Sequence, residues 1–192
     1  VTASNALVRL LRLSQITGGT VTNDAGLADR VDESKQKLLE ELLSDLPTAE
    51  PVVVFCRFLA DLDRVHESAE RMGRGSMELS GRRKDLEAKW LDSDSNGAPI
   101  LAAQIDSGCE GVDLTRARVC VFYSVGYSLG RYQQARARVL RPGQSRGVLY
   151  VHLNCAGTVD ESIVSALKSK RDIVDFVLGE ANDRRLKTTA CE

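Results

Sequence analysis

Five arginines and no acidic residue lie between Arg131 and Arg146, in a chain of 192 residues whose net charge is -1. On a helix, Gln134, Arg138 and Arg141 fall at i, i+4 and i+7, so all three side chains project from one face. A guanidinium group stays charged at any working pH and binds phosphate oxygens through paired hydrogen bonds. The spacing therefore suits the stabilisation of charge on a transferring phosphoryl group. A solvated basic helix face is the alternative that the pattern alone leaves open.

A second candidate is the loop from Asp106 to Thr115, which contains Gly108 and Gly111. Glycine permits φ > 0 and a close approach of the backbone to a ligand, as contacts with phosphate or sugar require. A tight turn after a strand explains the same two glycines, so the loop by itself does not decide between the two interpretations.

Strand and helix patterns alternate along the chain and place both candidates near strand ends. Short apolar runs, typical of parallel strands covered on both faces, occur at residues 51–56, 99–104, 119–123 and 147–153, with a shorter candidate at 76–79. Helical periodicity predicts helices over residues 5–15, 34–46, 58–72, 82–91, 129–140 and 158–178, whereas the polar residues 20–32 predict a loop. This alternation predicts an α/β fold with a parallel sheet and helices on both faces, in which ligands collect at the carboxyl ends of the strands.

The composition argues against several classes of protein. The 26 Lys and Arg balance 27 Asp and Glu, so a nucleic acid or a membrane would have to be recognised by a local patch. The chain has no run of 18 apolar residues and no secretory leader at its start, which predicts a soluble protein of the cytoplasm. The five cysteines form no Cys-x-x-Cys pair, and the pair His152 and Cys155 has no second pair to match it, so no metal site is predicted.

Three segments together resemble the motifs of a known family. Residues 134–144 read Gln-Ala-x-x-Arg-x-x-Arg-x-Gly-Gln, and residues 108–115 are similar to Gly-Gly-x-Gly-x-Asn-Leu-Thr. Residues 52–58 resemble the first strand of the family's C-terminal lobe and the turn after it, and Leu79-Ser80-Gly81 matches the short segment that comes next in the family. These are the motifs of the C-terminal lobe of SNF2-type superfamily 2 helicases, in a variant closer to the helicase-like proteins of phages and bacteria. The likeness covers residues 3 to 178. Cys109 and Asp113 stand where the family has Gly and Asn, and Asp106 adds a second acid to the same loop.

The resemblance implies a RecA-like lobe with a parallel sheet and helices on both faces, paired with a second lobe so that the two clamp ATP and Mg²⁺ between them and move along DNA. It implies that Arg138 and Arg141 act as arginine fingers on the γ-phosphate and that Gln134 couples the nucleotide to lobe closure. Gly111 and Asp113 would belong to the loop that meets the nucleotide. The resemblance further makes four residues candidates for contact with the DNA backbone, namely Arg57, Ser80, Gly81 and Gly108.

Two parts of a phosphoryl-transfer site are absent from the sequence: a Gly-x-x-x-x-Gly-Lys-Ser/Thr loop and an acidic pair after a buried strand. We therefore expect a separate N-terminal RecA-like lobe, in cis or in trans, to hold ATP and Mg²⁺, and expect this chain alone to hydrolyse ATP negligibly. The expected function is the C-terminal half of an ATP-dependent DNA helicase or translocase. The alternative is a non-catalytic nucleic-acid or protein-binding adaptor derived from such a lobe.

The expected organisation is a lead-in helix and loop over residues 1–33, the lobe over residues 34–178 and a polar tail over residues 179–192. The expected location is the cytoplasm, or the host cytoplasm if a phage encodes the protein. Because the first residue is Val1, we also expect the numbering to begin inside a longer polypeptide.

Overall fold

The computed structural model describes residues 3–22, 28–82, 90, 99–106, 112–141 and 147–171. The strands are β1 (Thr20–Thr22), β2 (Ala28–Arg30), β3 (Val52–Cys56), β4 (Ser76–Leu79), β5 (Ile100–Gln104), β6 (Val119–Phe122) and β7 (Leu149–His152). The helices are α1 (Ala3–Thr17), α2 (Ser34–Ser44), α3 (Leu59–Arg71), α4 (Leu129–Val139) and α5, which is described over residues 159–171. None of the helices in these described ranges is both long and apolar enough to cross a membrane.

Five parallel strands form one sheet in the order β4-β5-β3-β6-β7. Every residue of the central strand β3 is fully buried, as expected for a β-branched and aromatic run that is covered on both faces. In register, Val52 lies opposite Ile100 of β5 and Val119 of β6. The carboxyl ends of these strands therefore meet along one edge of the sheet.

Two apolar cores lie on opposite faces of this sheet because successive side chains of a strand point to opposite sides. Val53 and Phe55 belong to the first core, which α4 covers, whereas Val52 and Val54 belong to the second, which α2 and α3 cover. The predicted α/β architecture with helices on both faces is thereby confirmed.

The lead-in segment is attached to the sheet by buried polar contacts. The guanidinium of Arg64, on α3, is buried and donates to the Gly19 carbonyl oxygen at 2.7 Å and to the Gln36 side-chain oxygen at 2.7 Å. The Tyr123 hydroxyl donates to the Gly18 carbonyl oxygen at 3.1 Å. A Cβ on Gly18 would lie 2.6 Å from an Asp61 carboxylate oxygen, so this close approach requires glycine.

The structure corrects the prediction of a loop over residues 20–32, which contains the antiparallel hairpin β1–β2 with Thr20 opposite Arg30. The hairpin could not be predicted from the sequence because each strand has only three residues and β2 is exposed throughout. Strands this short show no clear alternation of apolar and polar residues. The helix predicted over residues 82–91 lies outside the described residues apart from Arg82 and Trp90, and so do residues 172–178 of the last predicted helix.

Candidate functional site

The last turn of α4 meets the segment 112–115, which lies between β5 and β6 in the chain. Ala135 and Val139 are buried in the first core, which fixes the orientation of α4 on the sheet. The backbone N–H of Leu114 donates to the Arg138 carbonyl oxygen at 3.0 Å. This bond holds the segment 112–115 against the end of the helix.

Arg138 and Arg141 converge on one backbone atom. The Nη1 group of Arg138 and the Nη2 group of Arg141 each donate to the Val112 carbonyl oxygen at 3.4 Å. Arg138 is buried, with 9% of its surface exposed, whereas the Arg141 side chain is 44% exposed. The Arg138 Nε–H group is buried without a hydrogen-bond partner in the part of the chain that the structure describes.

Asp113 completes this group, which we call the arginine cluster (Asp113, Arg138 and Arg141). Its carboxylate accepts from the Thr115 backbone N–H at 2.9 Å and from the Thr115 hydroxyl at 2.7 Å, and lies 3.1 Å from Nη1 of Arg141. The Thr115 N–H, the Thr115 hydroxyl and the charge of Arg141 hold the pKa of Asp113 below its ordinary value, so the carboxylate is ionised. Arg141 thus pairs with the Asp113 carboxylate, and the Arg138 guanidinium lies beside it on the Val112 carbonyl. Two neighbouring guanidinium groups suit the binding of a phosphate.

Of the other residues predicted to meet the nucleotide, Gln134 lies one helical turn before Arg138 on α4 and is exposed. Gly111 and Gly108 lie outside the described residues. The structure therefore brings together Arg138, Arg141 and Asp113, and it places Gln134 on the adjoining helical turn.

Three of the four predicted nucleic-acid contacts lie among the described residues, and they occupy two places on the carboxyl edge of the sheet. Arg57 directly follows β3, and its guanidinium carbon lies 5.1 Å from the centroid of the Phe58 ring. A Cβ on Gly126 would lie 3.6 Å from the same carbon, so the Arg57 side chain extends along the backbone that follows β6. Ser80 and Gly81 follow β4, and β5 lies between β4 and β3, so about 10 Å separates the two positions.

Ser80 and Gly81 differ in what they offer to a ligand. Ser80 is buried, donates its hydroxyl proton to the Glu78 carboxylate and accepts from the Arg82 backbone N–H at 3.0 Å. Gly81 is exposed beside it. The hydroxyl of Ser80 therefore stabilises the turn after β4, and the exposed surface at this point is the Gly81 backbone.

The sequence did not identify a buried carboxyl group that orders the turn carrying Arg57. Asp61 is 1% exposed, accepts from the Phe58 backbone N–H at 3.4 Å and accepts a hydrogen bond from the Ser124 hydroxyl. Ser124 in turn accepts from the Arg57 backbone N–H at 2.8 Å. Burial raises the pKa of Asp61 from 3.8 to about 6. One feature of the sequence could have indicated this role: Asp61 is an acidic residue in the first turn of a helix that follows a buried strand.

The acidic residue Asp106, which departs from the family pattern, lies 2.6 Å from the Arg131 guanidinium at the start of α4. The two acids of this loop, Asp106 and Asp113, are therefore each paired with an arginine of α4 or its C-terminal end. These two ion pairs balance the negative charges that the sequence of the loop indicates.

Comparison with known proteins gives the family. Residues 34–143 match the helicase conserved C-terminal domain. The chain is 28% identical over 153 residues to the chromatin-remodeling ATPase INO80 of Mycosarcoma maydis. It is 31% identical over 173 residues to a Drosophila melanogaster protein named as a SWI/SNF-related regulator of chromatin, subfamily A, containing DEAD/H box 1 homolog.

These two matches take in 78% and 83% of this chain, yet the chain spans only 8% and 20% of the relatives' own lengths. A crystal structure of the C-terminal part of the Fun30 ATPase domain superposes with a TM-score of 0.62 at 21% identity, covering 69% of this chain and 44% of that one. The fold of that structure agrees with the RecA-like parallel sheet described above. The chain thus belongs to the helicase conserved C-terminal domain family and forms a C-terminal lobe of the SNF2 type.

Proposed function

We propose that this lobe supplies arginine fingers and DNA-backbone contacts to an ATP-dependent DNA helicase or translocase, whose ATP is held mainly by a separate N-terminal RecA-like lobe. The observation that carries the proposal is the convergence of Arg138 and Arg141 on the Val112 carbonyl, with the buried Nε–H of Arg138 unpaired among the described residues. Two neighbouring guanidinium groups match the charge and shape of a phosphoryl group.

The two arginines take different parts in this proposal. Arg138 is buried and packed at the end of α4, so its guanidinium is oriented before a nucleotide arrives. Pre-orientation of a charged donor is what makes it effective against charge that develops in a transition state. Arg141 is more exposed and is bound to Asp113, so it exchanges part of that ion pair for phosphate oxygens when the lobes close.

Asp113 and Gln134 have supporting parts. Asp113, anchored by Thr115, keeps Arg141 beside Arg138 while no phosphate is bound. Gln134 is exposed one helical turn away, where an amide can bind the nucleotide or the facing lobe and so couple nucleotide binding to closure. Gly111 belongs to the same proposed loop.

When bound between the two lobes, ATP would supply the phosphoryl group and Mg²⁺ would neutralise part of its charge. We place both mainly on the N-terminal lobe, as the resemblance implies. The residues that the structure describes contain no group of three or more His, Cys, Asp or Glu arranged to hold a metal ion.

The DNA contacts are proposed for the carboxyl edge of the sheet. Arg57 offers a guanidinium there, and Gly81 offers an exposed backbone that a phosphate can approach closely. Ser80 shapes the turn beside Gly81, and Gly108, outside the described residues, is included on the basis of its motif. Contacts of this kind bind phosphates, so they position the protein on DNA without reading its sequence and weaken with salt.

The test is steady-state ATP hydrolysis by this lobe combined with the N-terminal lobe, in the presence of DNA. We expect Arg138→Ala and Arg141→Ala each to lower kcat by about 10³-fold, because an arginine finger contributes a factor of this order. Nucleotide binding should change by only a few-fold, since the other lobe holds the nucleotide. Arg9→Ala, which removes an exposed arginine from α1, is the matched control and should leave kcat unchanged.

Unchanged turnover in Arg138→Ala and Arg141→Ala would contradict the proposal. DNA-stimulated turnover by this lobe alone would contradict the assignment of the ATP site to a second lobe. Tight binding of DNA or protein without turnover, even with the N-terminal lobe present, would support the adaptor instead.

A further inference from the structure

A pocket separate from the arginine cluster opens between α4, α5 and the edge strand β7. Its volume is about 210 Å³. Two rings, two aliphatic side chains and two cationic side chains line it: Tyr132, His152, Val164, Leu167, Lys168 and Arg171. The lining contains no acidic side chain among the described residues. An apolar pocket with a cationic rim favours a flat, apolar ligand that carries negative charge.

The ring of His152 stands at the end of a column of stacked rings. Phe55 stacks on Phe122 with 5.3 Å between centroids and 22° between planes, and Phe122 stacks on His152 with 4.8 Å and 16°. One face of the imidazole is therefore covered by Phe122, while His152 also lines the pocket. Tyr132 lies beside it at 5.6 Å and a 41° tilt. A flat ring that enters the pocket would continue this column.

The imidazole of His152 is suited to stacking because it is uncharged at neutral pH. Burial, and then the nearby charge of Arg136, lower the pKa of His152 below its ordinary 6.5. The neutral imidazole therefore adds no positive charge beside Lys168 and Arg171.

Helix α5 supplies the floor and the rim from one face. Val164, Leu167, Lys168 and Arg171 fall at i, i+3, i+4 and i+7, so the four side chains share a stripe of the helix. No hydrogen bond or ion pair engages the Lys168 ammonium within the described ranges. Lys170, which points elsewhere, donates to the Tyr127 carbonyl oxygen at 2.8 Å and so fixes α5 against the segment that follows β6.

We propose that this pocket binds one nucleobase together with its attached phosphate, the base stacking on His152 beside Tyr132 and the phosphate lying at Lys168 and Arg171. Aromatic side chains stack on any base, and basic groups at a pocket rim bind the phosphate. The source is either a nucleotide of a single strand or a free mononucleotide. Neither source requires the arginine cluster or a second lobe, so the pocket can be tested independently of the proposed function.

The two histidines of the chain make the test direct, because the imidazole protons of His152 report on the pocket and those of His66 do not. His66 lies on α3, where its ring nitrogens are 2.7 Å from the Ser76 hydroxyl and 3.2 Å from the Glu78 carboxylate. The proton NMR signals are followed while adenosine, adenosine 5′-monophosphate, a deoxyadenosine oligonucleotide or ribose 5-phosphate is added.

We expect a saturable upfield shift of the His152 protons with every ligand that carries a base, and none with ribose 5-phosphate. Tyr132→Leu should weaken binding about 10-fold, as loss of one stacking ring does, while Tyr132→Phe should restore it. Lys168→Ala should weaken binding of the monophosphate roughly fivefold without affecting adenosine. Lys37→Ala, an exposed lysine on α2, is the charge control.

Comparison of the monophosphate with the oligonucleotide identifies the source: tighter binding of the oligonucleotide indicates a nucleic-acid strand, and equal binding indicates a free nucleotide. The proposal is overturned if His66 and His152 shift alike, if ribose 5-phosphate gives the same shift, or if no base-bearing ligand saturates the signal. Saturation by an acidic aromatic peptide in place of nucleotides would also overturn it and assign the pocket to a protein partner.

Discussion

At the scale of single residues, the position that departs most usefully from the family pattern is Asp113. An Asn there would bind Thr115 in a similar turn, but it would bring no charge to Arg141. The carboxylate instead forms an ion pair with Arg141 at 3.1 Å, both side chains being partly exposed. A partly exposed pair is worth little energy. In the proposed function, phosphate oxygens would therefore displace it readily, and Asp113 would orient Arg141 at little cost to nucleotide binding.

Asp61 gives a prediction about pH. Its pKa is about 6 in the folded protein and 3.8 in its unperturbed state, so folding favours the protonated form. Its contribution to stability is fully present below pH 3.8 and is lost as the pH rises through about 6. Asp61→Asn, which removes this titration, should raise the free energy of unfolding by about 2–3 kcal/mol at neutral pH and by much less near pH 4.

Urea unfolding of both proteins across this pH range measures the effect. Asp45→Asn, at an exposed position after α2, is the matched control and should follow the wild type throughout. If the difference in free energy of unfolding between wild type and Asp61→Asn does not vary with pH, the raised pKa of Asp61 is contradicted.

At the scale of elements, a buried ion pair joins helices that are distant in sequence. The Lys35 ammonium of α2 lies 2.6 Å from the Asp160 carboxylate of α5, and both side chains are at least nine-tenths buried. The Thr17 hydroxyl at the end of α1 donates to the same carboxylate at 2.9 Å. One carboxylate thus fixes three helices.

The two partners should therefore be energetically coupled, because removal of either one leaves the other buried without its counter-charge. Lys35→Met leaves the Asp160 carboxylate buried without its cation and should lower the free energy of unfolding by about 3–5 kcal/mol. The double variant Lys35→Met with Asp160→Leu should cost clearly less than the two single variants added together. Chemical unfolding of all four proteins in a double-mutant cycle measures this coupling, and additive costs would show that the pair is not coupled.

Elements with a strong pattern were predictable from the sequence, and those held only by tertiary contacts were not. The run from Val52 to Cys56 predicted the central strand because a fully buried strand tolerates only apolar residues. The hairpin β1–β2 was missed because the contacts beside it come from Arg64, on a helix more than 30 residues away. The motif in the sequence made Arg138 and Arg141 candidates, and their role stays a prediction. Their convergence on Val112 and the pairing of Arg141 with Asp113 could not be predicted, because they depend on how α4 meets segment 112–115.

At the scale of the whole molecule, the two cores share one sheet, so the described fold should unfold as a unit. The single tryptophan, Trp90, is 1% exposed in the first core, and the Arg116 guanidinium carbon lies 5.1 Å from its ring centroid. Its fluorescence therefore reports on packing at one face, while circular dichroism reports on all helices. We expect the two unfolding transitions in urea to coincide, as in two-state unfolding.

If the circular-dichroism signal is lost at a lower urea concentration than the Trp90 fluorescence signal, α1 and the hairpin unfold before the sheet. This measurement also tests the predicted division of the chain after residue 33. Arg64 and Tyr123 connect the lead-in segment to the lobe, so we expect the two parts to unfold together.

The strand order has a consequence for synthesis on the ribosome. The central strand, residues 52–56, pairs with residues 100–104 on one side and 119–122 on the other, so neither neighbour exists when the strand itself is made. About 50 further residues must be translated before the first neighbour appears, and about 65 before the second. During that interval this wholly apolar strand has neither of its partner strands. Chaperone binding to a nascent chain from which residues 52–56 have left the ribosome, but residues 100–104 have not, would protect this segment from pairing with another copy.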